Sequence, residues 1–85
     1  MPEKLSITPA QCRAARALLD WSQERLSEES GVGAKTIVDF EQGKRSPFAR
    51  TVSDLREALE AGGVEFTNGD APGLRLKARR RSRKT

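Results

Sequence analysis

Between residues 22 and 45 the chain reads SQERLSEESGVGAKTIVDFEQGKR, and the glycines in this run dictate its geometry. Ser22 is a helix-cap candidate, and Glu24 puts a carboxylate in the first turn. The short helix that follows runs to about Ser30 and ends at Gly31, which suits the left-handed position just past a helix. Small Ser27 and Ser30 let a second helix approach. Val32 plugs the angle between the two, with Leu26 and Ile37 behind it. The second helix starts at Gly33 or Ala34, carries Ile37 and Phe40 at i, i+3, and closes at Gly43. An outward face remains: Ala34, Lys35, Thr36 and Asp39. Two short helices around a tight glycine turn form a helix-turn-helix outline.

The rest of the chain supplies a frame. Thr8, Pro9 and Gln11 make a helix start, with Thr8-x-x-Gln11 as a capping box and Pro9 at the first helical position. Ile7 and Cys12 are placed for a hydrophobic staple. Cys12, Ala15 and Leu19 share one helical face, Leu18 and Trp21 extend the apolar surface, and the helix spans about 9–20. Lys44-Arg45-Ser46-Pro47 forms a basic loop, and Pro47 blocks helical continuation. Thr51-x-x-Asp54 reads as a further capping pair. Val52, Leu55, Ala58 and Leu59 give that helix its apolar face, and Gly62-Gly63 ends it. Alternating residues 64–67 and 74–77 flank a turn-rich stretch, which reads as a β-hairpin. A lone hairpin is marginal in water, so it must pack on the helices or on a second chain. Trp21, Leu26, Val32, Ile37, Phe40, Leu55 and Leu59 are the expected core.

Composition narrows the function. The chain has 85 residues with Lys+Arg 16 and Asp+Glu 12, a formal charge of +4. Residues 75–85 hold seven of the cations and no anion, leaving nine cations against twelve anions in residues 1–74, a net of −3. A basic tail on a mildly acidic body suits a polyanion such as DNA or RNA. The single cysteine, Cys12, makes no internal disulfide, which favours a reducing compartment. Histidine is absent, so a Cys/His metal cluster and a Ser-His-Asp triad are excluded. The acidic side chains form no convergent set with a base, nucleophile or metal cage, so an enzyme is not expected. No run approaches the length of a membrane helix, and the N-terminus lacks the apolar block of a secretory signal. Neither a cofactor nor a small-molecule ligand is expected.

From Trp21 to Arg45 the chain resembles the Cro/repressor-type (XRE) helix-turn-helix family of bacterial and phage transcription regulators. The resemblance rests on Ser22-Gln23, Leu26, the Gly31-Val32 turn, Thr36-Ile37, and Phe40-Glu41-Gln42-Gly43-Lys44-Arg45. It extends over about residues 7–62. It implies a mainly α fold: a compact four-helix repressor-like DNA-binding domain (residues 1–63). To this the residues add a C-terminal β-hairpin (64–77) and a basic disordered tail (78–85). It also implies a cytoplasmic, nucleoid-associated homodimer on double-stranded DNA, with helix 34–42 in the major groove.

By position, the resemblance assigns base reading to Ala34, Lys35, Thr36 and Asp39. Lysine can donate to guanine O6 and N7, threonine offers a hydroxyl or a methyl, alanine can touch a thymine methyl, and aspartate can accept from cytosine N4. Gln23, Lys44 and Arg45 take phosphate-binding positions, and Arg79, Arg80 and Arg81 of the tail add backbone affinity. Arg16 and Glu41 match a structural salt bridge joining the first helix to the end of the third. The hairpin occupies the place of the family's usual fifth helix, so Val64, Phe66, Leu74 and Leu76 are the candidate dimer surface. The expected function is a sequence-specific DNA-binding regulator, a repressor on a two-fold symmetric operator. The alternative is a protein-interaction module of the same fold, an antitoxin or antiactivator. The −3 body and Asp39 favour that alternative, which would hold its protein partner through the hairpin or the acidic second helix.

Overall fold

Thr8 opens the first helix, α1 (Pro9–Leu19), of the computed structural model, which describes residues 7–44, 47–67 and 73–76. The Gln11 N–H donates to Thr8 Oγ1 at 3.0 Å and the Thr8 N–H donates to Gln11 Oε1 at 2.9 Å, so the capping box forms in both directions. The helix ends one residue before the expected position. Asp20 takes the left-handed conformation, φ 60°, while its N–H donates to the Ala17 carbonyl and the Trp21 N–H to that of Arg16. A short polar side chain tolerates that conformation, so aspartate fills a place more often held by glycine.

Ser22 caps α2 (Gln23–Ser30) by accepting from the Arg25 N–H at 2.9 Å, and Gly31 closes it at φ 78°. The turn into α3 (Ala34–Glu41) is pinned by both serines. Ser27 Oγ donates to the Val32 carbonyl at 2.6 Å, and the Val32 N–H donates to Ser30 Oγ at 3.1 Å. Their role is therefore hydrogen bonding as well as small size.

The fourth helix, α4 (Ala49–Gly62), starts earlier than the sequence suggests. Phe48 is its N-cap residue and no side chain caps it, while Thr51 and Asp54 lie inside the helix. Once Pro47 is passed, Ala49 and Arg50 are strong helix formers, and nothing delays initiation to Thr51.

Two antiparallel strands complete the fold: β1 (Val64–Thr67) and β2 (Gly73–Leu76), in the register Val64↔Leu76, Glu65↔Arg75, Phe66↔Leu74 and Thr67↔Gly73. The second strand thus begins one residue before Leu74, and Lys77 lies outside the described residues. The hairpin packs on the helices of its own chain: β1 against α4 and α1, β2 against α1. Gln11 ties the two parts together, its Nε2 donating to the Gly73 carbonyl at 2.8 Å and the Thr67 carbonyl at 3.4 Å. The capping-box glutamine is thereby buried and bridges the last strand pair.

One core runs through the four helices and β1, with Leu74 of β2 packed against it. Leu26, Ile37, Leu55, Leu59, Val64 and Cys12 are its largest fully buried members, with Val32, Phe40 and Phe66 close behind. Trp21 is only half-buried and packs on its rim; Leu18 is exposed, because α1 turns that face away from the other helices. Val64 and Phe66, expected at a dimer surface, point their side chains into this core, since the alternation of β1 aims them at α4. Leu74 is half-buried and Leu76 is exposed.

Candidate nucleic-acid interface

Helix α3 divides cleanly into two faces. Ile37 and Phe40 anchor it in the core. On the other side, Lys35 extends into solvent with its side chain 86% exposed, flanked by half-buried Ala34 and Thr36. Asp39 lies one turn along, and Lys35 Nζ sits 3.4 Å from its Oδ2. Base edges read by a helix require side chains of this kind: short ones that allow approach and one long donor. The Lys35–Asp39 pair is an exposed i, i+4 contact, weak enough for the lysine to exchange its partner.

After α3, Gly43 adopts φ 75° and its N–H donates to the Phe40 carbonyl, while the Lys44 N–H donates to the Asp39 carbonyl at 2.9 Å. This double closure turns the chain sharply, and Lys44 is exposed just after the end of α3. Glycine is favoured there, because it adopts the left-handed conformation that ends the helix without steric cost. Arg45 and the tail residues Arg79, Arg80 and Arg81 lie outside the described residues.

The end of α3 is held by a buried polar network. Glu41 is 2% exposed, and Arg16 of α1 grips both its oxygens, Nε to Oε2 and Nη2 to Oε1, each at 2.7 Å. Gln23 Nε2 donates to Oε1 at 3.0 Å, and the Cys12 thiol donates to Oε2 at 3.1 Å. Arg16 Nη1 also reaches the Trp21 carbonyl, and Arg13 donates to the Glu41 backbone carbonyl. Burial pushes the Glu41 carboxyl up, but the hydrogen bonds from Arg16, Gln23 and Cys12 outweigh it and hold the group below its ordinary value. The hydrogen bond to Glu41 raises Arg16 further, against a smaller opposing effect of burial. Burial and the neighbouring Glu41 carboxylate drive the Cys12 thiol far upward, so it remains protonated.

Gln23, matched to a phosphate-binding position, sits at the first turn of α2 with one amide hydrogen committed to Glu41. Its amide is thereby oriented, and a second amide hydrogen stays available. Helices α1, α2 and α3 thus converge on one carboxylate. The sequence reading did not include Arg13, the thiol donor or the Gln23 contact; the i, i+3 spacing of Arg13 and Arg16 on one face of α1 was the signal for the first. Phe48, just before α4, is 84% exposed.

Among the described residues, no group of three or more Cys, Asp or Glu side chains is placed to hold a metal ion, and no helix is long and apolar enough to cross a membrane. A search of curated proteins finds no significant match. Residues 13–66 match the helix-turn-helix family, a span from within α1 into β1 that takes in Arg13, Arg16, Gln23 and Glu41 of the network and the whole of α3. With the turn, the outward helix and its carboxylate anchor all inside the matched span, the chain belongs to the Cro/repressor-type helix-turn-helix family of non-catalytic, DNA-binding transcription regulators.

Proposed function

We propose that this chain is a sequence-specific regulator of transcription that represses as a homodimer on a two-fold symmetric operator, with α3 in the major groove. The observation that carries this reading is the outward presentation of Lys35 and Thr36 on a helix whose far end is locked to α1 through Glu41. Ala34, Lys35, Thr36 and Asp39 read base edges. Gln23 and Lys44 hold phosphates on either side, joined by Arg45 and by Arg79, Arg80 and Arg81 of the tail. The dimer forms through the outer edge of β2, with Leu76 and the exposed part of Leu74 as its apolar contacts. Val64 and Phe66 support that edge from within.

Selection of bound duplexes from a random pool tests the reading. Winners with two-fold symmetry support both the operator and the dimer. Failure to enrich any sequence, together with stoichiometric capture of a protein from the source cell, would favour the protein-interaction module instead. Exposed Glu24 and Glu28 on α2 are the feature that keeps that second reading in play.

A further inference from the structure

Each main-chain carbonyl in the last turn of α3 has a donor. The Gln42 N–H reaches Val38, the Lys44 N–H reaches Asp39 and the Gly43 N–H reaches Phe40. Glu41 is different. Among the described residues no main-chain N–H donates to its carbonyl, and the donor is Nη1 of Arg13, from α1. A helix ends in carbonyls without intrahelical partners and in a partial negative charge, and a guanidinium meets both. One residue of α3 is thus held twice by arginines one turn apart on α1: its carboxylate by Arg16, its carbonyl by Arg13.

The two grips do different things. The carboxylate stands at the end of a side chain that can change rotamer, so Arg16 leaves the helix freedom to turn about its own axis. The carbonyl belongs to the helix itself, and a bond to it fixes the main chain directly. Ile37 and Phe40 decide which face is inward, but apolar contact is non-directional and a hydrogen bond is not. Rotation matters for reading. At the surface of a cylinder about 10–12 Å wide, a turn of about 10° moves a side-chain tip by about 1 Å. Recognition geometry holds only within about 0.5 Å and 10–20°. Lys35 and Thr36 lie at the opposite end of the same eight-residue helix, so a rotation at Glu41 is carried to them.

We propose that Arg13 is a positioning residue for sequence reading: its bond to the Glu41 carbonyl sets the rotation of α3, and with it the direction in which Lys35 and Thr36 point. The proposal rests on the DNA-binding reading above. Arg13 acts through the helix and not on the duplex. Without its bond, α3 holds the reading position for only a fraction of the time, and apparent affinity for the recognised sequence falls by that fraction. Binding through phosphates carries no sequence information and tolerates the rotation.

The full chain, as wild type, Arg13→Met and Arg13→Lys, is titrated with the duplex that wins selection from a random pool and with a scrambled duplex of equal length. The titrations run over a salt series, well below the melting temperature. Arg13→Met keeps an apolar stem and removes the donors, while Arg13→Lys keeps the charge and a donor on a different geometry. Arg13→Met is expected to weaken the selected duplex about tenfold, the equivalent of one hydrogen bond, and the scrambled duplex less than about twofold. The salt slope is expected to stay unchanged, since no phosphate contact is removed. Arg13→Lys is expected to lose about threefold on the selected duplex alone, and it decides the matter in the same way should Arg13→Met fail to fold. A residue that served stability alone would lower the melting temperature and leave the ratio of the two affinities unchanged, and that result overturns the proposal. So does an equal loss on both duplexes with a smaller salt slope, which would make Arg13 a phosphate contact. Both results leave the DNA-binding reading intact. Failure of wild type to prefer any duplex overturns both.

Discussion

Arg16 and Glu41 meet through two hydrogen bonds of 2.7 Å each, joining the middle of α1 to the last residue of α3. The carboxylate is 2% exposed and the guanidinium 19%, so the pair is shielded from water and salt on the Glu41 side. A bidentate pair also fixes orientation, which a reading helix needs more than it needs stability. Arg16→Ala leaves Glu41 buried with only Gln23 and Cys12 as side-chain partners. The expected loss is about 3 kcal/mol of unfolding free energy in urea, near the lower end for breaking a buried pair because Arg16 is partly exposed. Arg16→Lys should recover a minor part, since an ammonium cannot span both oxygens. A loss within error of zero for Arg16→Ala would show that the pair only decorates the surface.

The same network makes stability depend on acid. Glu41 titrates below its ordinary value of 4.5 in the folded chain, so the folded state favours its ionised form. This contribution is complete above the unfolded value and is lost as pH falls through the folded one. The urea midpoint of wild type is therefore expected to drop as pH is lowered from about 5 into the acid range. Glu41→Gln should be less stable at neutral pH and flatter across that window. Parallel curves for the two proteins would assign the acid sensitivity to other carboxylates.

At Gly62 the packing, not the backbone angle, demands glycine. A Cβ there would stand 2.8 Å from Cη2 and Cζ2 of Trp21 and 3.0 Å from Cδ1 of Leu19. Arg25 lies over the same indole, 4.8 Å from the ring centre, and limits its retreat. Glycine to alanine in an open helix gains about 1 kcal/mol. Overpacking costs about 1–3 kcal/mol and should prevail here. Gly62→Ala is expected to lower the thermal midpoint and to shift the emission of Trp21, the sole tryptophan. A raised midpoint with unchanged emission would mean that the indole moves aside freely.

Local chemistry was readable wherever a residue acts on its own neighbours. Thr8 and Gln11, Ser22, Gly31 and Gly43 announce helix ends because caps and left-handed glycines work within a few residues. Alternation in 64–67 and 74–77 announced a hairpin for the same reason. What it could not announce is the body that covers each face. Val64 and Phe66 share a face, and only the tertiary fold shows that α4 covers it. Gln11 was legible as a cap but not as the bridge to Thr67 and Gly73, 56 and 62 residues away. At the candidate site, the outward face of α3 followed from the inward spacing of Ile37 and Phe40. The convergence of Cys12, Arg16 and Gln23 on Glu41 depends on how three helices cross. Thr51-x-x-Asp54 misled because a capping pattern inside a helix looks the same as one at its start.

In the proposed function, Lys35 and Lys44 carry two different tasks. Lys35 projects from the middle of the outward face, next to Thr36 and one turn before Asp39, where a base edge would replace its weak partner. Lys44 follows the turn and is exposed, and the proposed reading gives it a phosphate. Lys35→Ala should cost about 1–3 kcal/mol on the selected duplex and much less on scrambled DNA, relaxing preference at one base pair in each half-site. Lys44→Ala should weaken both duplexes alike and reduce the salt slope by about 1. Because Asp39 holds Lys35 in the free protein, Asp39→Asn should release the lysine and reduce repulsion from nearby phosphates. It is therefore expected to tighten scrambled DNA more than the selected duplex and so to narrow discrimination. Fluorescence anisotropy with both duplexes at three salt concentrations reads all of these quantities. Equal losses on both duplexes from Lys35→Ala would move that residue from base reading to backbone contact.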